Sequence, residues 1–399
     1  MTTKTTPLAV SSLHVKNFKA IRDSGTIQLT PLTVFIGNNG VGKSSLVEAL
    51  ETVQIMAWNG LDAAIDERWR GFEYISNQAV THEHNLGKQE SSKSVAPISF
   101  QIEGHAQGNK VGGNEYKYYA FSEIMAAPPN SVYYSREELT YLSAGRASRR
   151  IIRSTNGDIT VTEQDRESEE LIIGNKDNTS ILVIENAISR WHIARLNPES
   201  MMLPARQRRV GVPNFIDSDG ANLAGVIELL YTTYPKILLG IIETLQFILP
   251  YVEDLKPVLT SDIGRDVFLQ LREKGFNIPS WLFSTGTLRL LALLVILRSP
   301  MPAPLIAIEE IENGLDPRTI SLIVDEIREV VRAGRSQIII TTHSPYLLDL
   351  LPLESIVFVE RIDGEPRFFR PQDDESVQRW SEEFAPGRLY TMGRFRHAS

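Results

Sequence analysis

The sequence predicts an α/β fold, a mixed sheet flanked by helices, on three observations. First, the apolar run Thr33-Val-Phe-Ile leads through Gly37-Asn-Asn-Gly-Val-Gly-Lys43-Ser44-Ser45 into an amphipathic stretch, which reads as strand, glycine-rich turn and helix. Second, two later runs, 303–310 and 336–341, are continuously apolar, as strands covered on both faces of a sheet are. Third, residues 60–200 hold short segments rich in β-formers, the pattern of an extended antiparallel sheet.

Taken in order, 12–36 reads as strands: Leu13 to Ile21, then Ile27-Gln-Leu, then Leu32 to Ile36. A helix follows from Lys43 to Trp58. Further strands are expected at Ile98–Ile102, Tyr116–Phe121, Ser131–Tyr134, Ile151–Arg153, Ile159–Val161 and Ile181–Ile184. Residues 83–95 and 104–114, rich in Gly, Ser and Lys, read as loops. Apolar residues recur at helical spacing between 220 and 250, and 287–299 reads as another helix. No internal repeat and no long heptad stretch is present, so no coiled-coil arm is expected between the glycine-rich turn and the later motifs.

The 399 residues carry a net charge of −8, so no global field draws the chain to nucleic acid. With no cysteine there can be no disulfide, thiolate-held zinc or thiol nucleophile. Residues 1–7 lack the apolar core of a secretory leader, and the longest apolar stretch, Leu288 to Leu297, carries Arg289 and is too short for a bilayer. The expectation is a cytoplasmic protein with no membrane segment.

The turn 37–45 has the form G-x-x-x-x-G-K-S. Glycines 37, 40 and 42 let backbone N–H groups converge on phosphate oxygens, and the helix that follows aims its positive end at the same anion. Asn38, Asn39, Val41 and Ser45 complete the loop; Lys43 adds a cation for the outer phosphates and the Ser44 hydroxyl a ligand for Mg²⁺. The expected ligand is a nucleoside triphosphate with Mg²⁺. The run Pro304 to Ile308 ends in Glu309 and Glu310, carboxylates expected at a strand's carboxyl edge. Glu309 is the candidate metal residue and Glu310 the candidate for orienting the attacking water. The run Gln337–Thr342 ends in His343, whose imidazole is a candidate for contact with the γ-phosphate or the water on it. Ser284 and Thr287 are N-cap types around Gly286, which makes 284–289 a second phosphate-facing helix start; read blandly, it is an ordinary capped helix.

The order of glycine loop, S-T-G-T-L-R, I-E-E-I-E-N-G-L-D-P and T-T-H-S-P resembles the ABC-type ATPases of the SMC, RecF and OLD group. Within it, the chain is most similar to the stand-alone, arm-less ATPases of bacterial phage-defence pairs. Val15-Lys-Asn-Phe-Lys-Ala-Ile and Asp219-Gly-Ala-Asn222-Leu-Ala resemble that group too. By this resemblance 37–45 is the Walker A loop, Ser284 to Arg289 the signature, Glu309 and Glu310 the Walker B pair, Leu315-Asp316 the D-loop and His343 the switch histidine. The resemblance implies ATP and Mg²⁺ as cofactors, hydrolysis with Glu310, His343 and Lys43 in catalytic roles, and Ser284, Gly286, Thr287 and Asp316 facing the nucleotide of a second subunit. It therefore implies a head-to-tail homodimer or higher homo-oligomer, acting as a sensor or regulator of a separate effector protein. Glu309 stands where the wider class has Asp, and Thr285 and Leu288 depart from its signature. Gln207 is the candidate for the Q-loop.

The implied organisation is an ATPase head over 1–362 and a C-terminal tail over 363–399. The nucleotide-binding core takes 1–60 and 284–362, the β-rich insertion 61–200, and a helical lobe 201–283. No acidic set of a Toprim nuclease follows His343. Trp380, Phe384 and Tyr390 either pin the tail to the body or meet a partner. Two arginine clusters, Arg146, Arg149, Arg150 and Arg153, and Arg206, Arg208 and Arg209, leave nucleic acid open as a partner. The rival reading is thus a RecF-like DNA clamp or loader. A transporter subunit fits poorly, given the long stretch from 46 to 283.

Overall fold

A computed structural model describes residues 8–86, 95–107, 115–127, 131–143, 148–154, 159–165, 168–171, 178–207, 215–260 and 265–395. The chain divides into two compact units, one of Met1–Trp191, Glu354–Gln378 and Phe395–Ser399, the other of His192–Leu353 and Arg379–Arg394.

In the first unit, strand Ser12–Phe18 pairs antiparallel with Ile21–Asp23, with Ile27–Gln28 and with Ile98–Gln107. From there an antiparallel meander runs through Glu115–Ala127, Ser131–Ser143, Ser148–Ser154, Ile159–Asp165 and Ser168–Leu171. Alternation sets its inner face: Ile98, Phe100 and Ile102 are buried while their neighbours are partly exposed. The inner face closes on ring and backbone contacts. Phe18 meets Phe100 edge-on, and the buried Tyr118 donates to the Ala9 carbonyl at 2.8 Å. Burial pushes the Tyr118 phenol well above its ordinary value.

The same unit holds strand Leu32–Ile36, buried at every residue. It runs parallel to Ile356–Ile362, with Val34 opposite Ile356, and that strand pairs antiparallel with Glu365–Phe369. The span expected as a separate tail therefore supplies a strand. The helix after the glycine loop is Lys43–Asn59. The expected strand at Ile181–Ile184 is instead part of helix Asn178–Ser189. Its buried residues, Ile184, Ala187 and Ile188, with Trp191 beyond, fall at helical spacing, and this outweighs the β-branched run. Of the expected loop 104–114, residues 104–107 extend a strand and 108–114 lie outside the described residues.

The second unit has three parallel strands, His192–Ala194, Leu305–Ile308 and Gln337–Thr342, with Ile306 paired to both His192 and Ile338. Helix Thr285–Leu297 is buried at every position from Thr287 to Leu297, as its all-round apolar sequence requires. Helix Pro317–Arg332 buries Ile320, Ile323, Val324, Ile327 and Val330 and turns its charges outward. The span 201–283, expected to be helical, carries helices Leu223–Thr233 and Pro235–Ile248. It also carries an antiparallel sheet of Ala205–Arg206, Val252–Leu259, Asp266–Glu273 and Phe276–Pro279. The short helix Pro386–Thr391 packs on Pro345–Asp349, where a Cβ on Gly387 would stand 2.0 Å from the Pro345 carbonyl oxygen. Among the described residues no helix is long and apolar enough to cross a membrane.

Candidate nucleotide site

The loop 37–45 belongs to the first unit. Gly37 cannot be replaced, since a Cβ there would lie 2.1 Å from the Val359 carbonyl oxygen. Gly42 has φ of +109° and would place a Cβ 2.9 Å from the Pro366 ring. Asn38, Asn39 and Gly40 form an exposed tip, while Val41, Gly42 and Lys43 are buried. The Lys43 ammonium curls back over the loop, donating to the carbonyls of Gly37 at 2.7 Å and Asn38 at 2.9 Å. Ser44 is exposed in the first turn of helix Lys43–Asn59, beside N–H groups that have no partner within the helix, and Ser45 is buried. A concave backbone, a lysine inside it and an exposed hydroxyl at a helix start fit a triphosphate with its cation.

The remaining candidates lie in the second unit, held by several local sets of contacts. Ser284 caps helix Thr285–Leu297, accepting the Thr287 N–H at 3.0 Å, and the two hydroxyls are 2.8 Å apart. Gly286 packs so closely on the loop after Glu310 that a Cβ would sit 2.5 Å from the Gly314 carbonyl oxygen. Arg289, buried in the same helix, donates to the carbonyls of Leu196 at 2.8 Å and Glu310 at 2.9 Å. Burial lowers its guanidinium from the ordinary value, opposed by the carboxylates of Glu310 and Glu312.

Glu310 takes a left-handed backbone, φ +46°, rare for a non-glycine residue. Its N–H donates to the Thr341 hydroxyl at 3.0 Å, and its Oε2 accepts from the Asn313 amide at 2.5 Å. Glu309 is engaged by the Arg195 guanidinium, which bonds its Oε1. His343 is half-exposed; its backbone N–H donates to Glu312 Oε1 at 2.8 Å, and its ring Nδ1 lies 3.3 Å from the same oxygen. Asp316 caps helix Pro317–Arg332, accepting from Arg318 and Thr319, and the Thr319 hydroxyl bond at 2.6 Å leads the causes that hold its carboxyl below the ordinary value.

Two residues of these contact sets had no role in the sequence reading. Glu312 stands in plain view in I-E-E-I-E-N, but only the fold turns it to His343. Arg195 carries no motif signal at all. The Q-loop candidate Gln207 donates to Glu228 at 2.6 Å. Arg150 pairs with Glu138 at 2.8 Å and Arg153 with Glu137 at 3.3 Å, so those two guanidinia are matched by neighbouring acids. Arg146, Arg208 and Arg209 lie outside the described residues. No group of three or more metal-ligating side chains occurs among the described residues.

The family model described as "AAA domain, putative AbiEii toxin, Type IV TA system" matches residues 32–349. The chain belongs to that family. Its fold is that of SMC head domains. The Smc head domain with an extended coiled coil bound to the C-terminal domain of ScpA, from Pyrococcus furiosus, is 13% identical over 94% of this chain and 100% of its own, with TM-score 0.57. An SmcHead bound to the C-winged helix domain of ScpA is 16% identical over 90% and 96%, at 0.54. The Smc head domain with a coiled coil and joint from Pyrococcus yayanosii is 12% identical over 94% and 99%, at 0.51. At such identities the likeness is one of fold. No curated protein matches the chain in sequence. Family and fold agree: the chain is an AAA-family protein with the fold of an SMC head domain.

Proposed function

We propose that this AAA-family chain binds ATP with Mg²⁺, hydrolyses it, and closes on it as a head-to-tail homodimer that signals to a separate effector in phage defence. The loop 37–45 carries the reading, because a buried lysine on a Cβ-intolerant glycine turn has no other evident use. Lys43 neutralises the outer phosphates, and the N–H groups at the start of helix Lys43–Asn59 bind their oxygens. Mg²⁺, when bound, supplies further charge on those oxygens; Ser44 and Glu309 would hold it. Glu310 orients the attacking water and His343 contacts the reacting end.

Ser284, Gly286 and Thr287 serve the ATP of the partner subunit, and Asp316 lies in the loop that Gly286 packs against. The family description, with its toxin–antitoxin system, favours work in a pair with a second protein, and the SMC heads captured with ScpA favour a protein partner. The DNA-clamp reading draws no support from Arg150 and Arg153, which neighbouring acids already neutralise. The protein is proposed to act in the cytoplasm.

Light scattering of Glu310→Gln with and without ATP and Mg²⁺ tests this. The expected result is an ATP-driven doubling of mass that Lys43→Ala abolishes. A mass unchanged by ATP, in a variant that binds ATP, rules out the dimer.

A further inference from the structure

The Glu312 carboxylate is buried, with 8% of its side chain exposed, and its Oε2 accepts no hydrogen bond among the described residues. Its Oε1 receives the backbone N–H of His343 at 2.8 Å and stands 3.3 Å from the ring Nδ1. Capping a strand end needs no charge. Nearby, the neutral hydroxyls of Thr342 and Ser344 accept the N–H groups of Ser344 and Leu347. A buried carboxylate with an unmatched oxygen is a costly way to accept one N–H, so its charge calls for a further partner. The two terminal nitrogens of Arg289 donate to the carbonyls of Leu196 and Glu310, and its charge is felt at Glu312, but no hydrogen bond joins the guanidinium to that carboxylate among the described residues. The imidazole of His343 is the group whose donor Glu312 can select.

We propose that Glu312 is the positioning residue for His343. By anchoring the backbone and drawing the ring proton to Nδ1, it leaves Nε2, on the opposite side of the ring, to face the reacting end of the nucleotide. A ring nitrogen's tautomer is set by what the other nitrogen bonds, and a carboxylate at Nδ1 fixes Nε2 as the acceptor in the neutral ring. Nε2 then takes a hydrogen bond from the attacking water. The inference rests on the reading of His343 as part of the hydrolytic site.

The test compares Glu312→Gln, which keeps an oxygen for the His343 N–H, with His343→Ala and the double variant. Glu312→Gln should lower kcat about tenfold, the scale of losing a partner behind a reacting group, with KM for ATP nearly unchanged. The double variant should turn over no more slowly than His343→Ala alone, because Glu312 acts through the ring. In ¹⁵N-histidine spectra, with His343 assigned by its loss in His343→Ala, the wild type should show the proton on Nδ1 and Glu312→Gln should show it redistributed. A tenfold loss that persists in the His343→Ala background, or an identical ring signal in both proteins, overturns the inference. If His343→Ala loses turnover while Glu312→Gln keeps it, the inference alone falls. If His343→Ala turns over normally, the reading of the histidine falls first and takes the inference with it.

Discussion

The Arg195 guanidinium is bonded to Oε1 of Glu309, the carboxylate at the end of strand Leu305–Ile308. Glu309 is also the residue proposed to hold Mg²⁺, so in this conformation its negative charge is already matched. Both side chains are largely covered, at 22% and 13% exposed, where water screens their attraction weakly.

Arg195→Ala should therefore tighten the metal. Removing the guanidinium frees the Glu309 oxygen and deletes a positive charge that repels the cation. The Mg²⁺ concentration for half-maximal ATP hydrolysis should fall several-fold, while Ser44→Ala should raise it. A titration in which Arg195→Ala needs more Mg²⁺ than wild type would mean that the arginine orients Glu309 for the metal instead of competing with it.

Glu310 combines a proposed catalytic carboxylate with a strained backbone, and the two can be separated. Glycine adopts φ near +46° freely, whereas a β-branched residue there is a genuine outlier. Glu310→Gly and Glu310→Val both lack the carboxylate, so both should hydrolyse ATP at least about a hundredfold more slowly. They should differ in stability by about 1–2 kcal/mol in favour of glycine. Denaturant melts check this, and equal midpoints would show that the backbone at 310 relaxes in the variants.

How much of this was legible in the sequence depends on how local each constraint is. The glycine loop could be read because one short segment carries all its requirements, from strand to lysine. The strand edges at Glu309 and His343 could be read because continuous apolar runs end abruptly there. Helix Asn178–Ser189 was missed because Ile181, Val183 and Ile184 favour strands locally, and only burial of Ile184, Ala187 and Ile188 on one face decides otherwise. The sheet within 201–283 left a trace in the alternating Val267, Leu269 and Leu271, but the stronger helical periodicity of 220–250 masked it. Arg195 and Glu309 are 114 positions apart, and no pattern in the chain announces their meeting.

The signature region gives a prediction about assembly. Ser284→Arg removes a cap worth about 1 kcal/mol and sets a long cation at the helix start. Gly286→Ala drives a Cβ into a backbone carbonyl that can yield only by moving the loop at Gly314. Both variants should bind ATP within about threefold of wild type, since loop 37–45 is untouched, yet hydrolyse almost none. Mixing Ser284→Arg with Lys43→Ala should restore part of the activity, because one composite site per mixed dimer pairs an intact loop with an intact signature. Full activity of Ser284→Arg alone, or no recovery on mixing when mixed dimers form, would count against head-to-tail closure.

His192, on strand His192–Ala194, is buried, and its Nε2 finds no partner among the described residues. The lining around it is apolar, with Phe215, Val226, Leu230, Val295 and Ile306. Burial lowers its pKa from 6.5 to about 4. The sign follows from proton counts: between pH 6.5 and pH 4 the unfolded chain holds a proton that the folded chain refuses. Stability from this residue is therefore complete above pH 6.5, declines as the pH falls through that window, and is flat below it. A shift of this size corresponds to about 3 kcal/mol across the window. His192→Leu replaces the ring with an apolar side chain and ends the titration. At pH 7 the variant should be at least as stable as wild type, because an unsatisfied buried nitrogen is gone. By pH 5 its advantage should have grown by about 2 kcal/mol. Urea unfolding of both proteins at the two pH values measures the difference, in which all other titrating groups cancel. Parallel loss of stability in the two proteins would show that His192 is charged, or reached by water, in the folded chain.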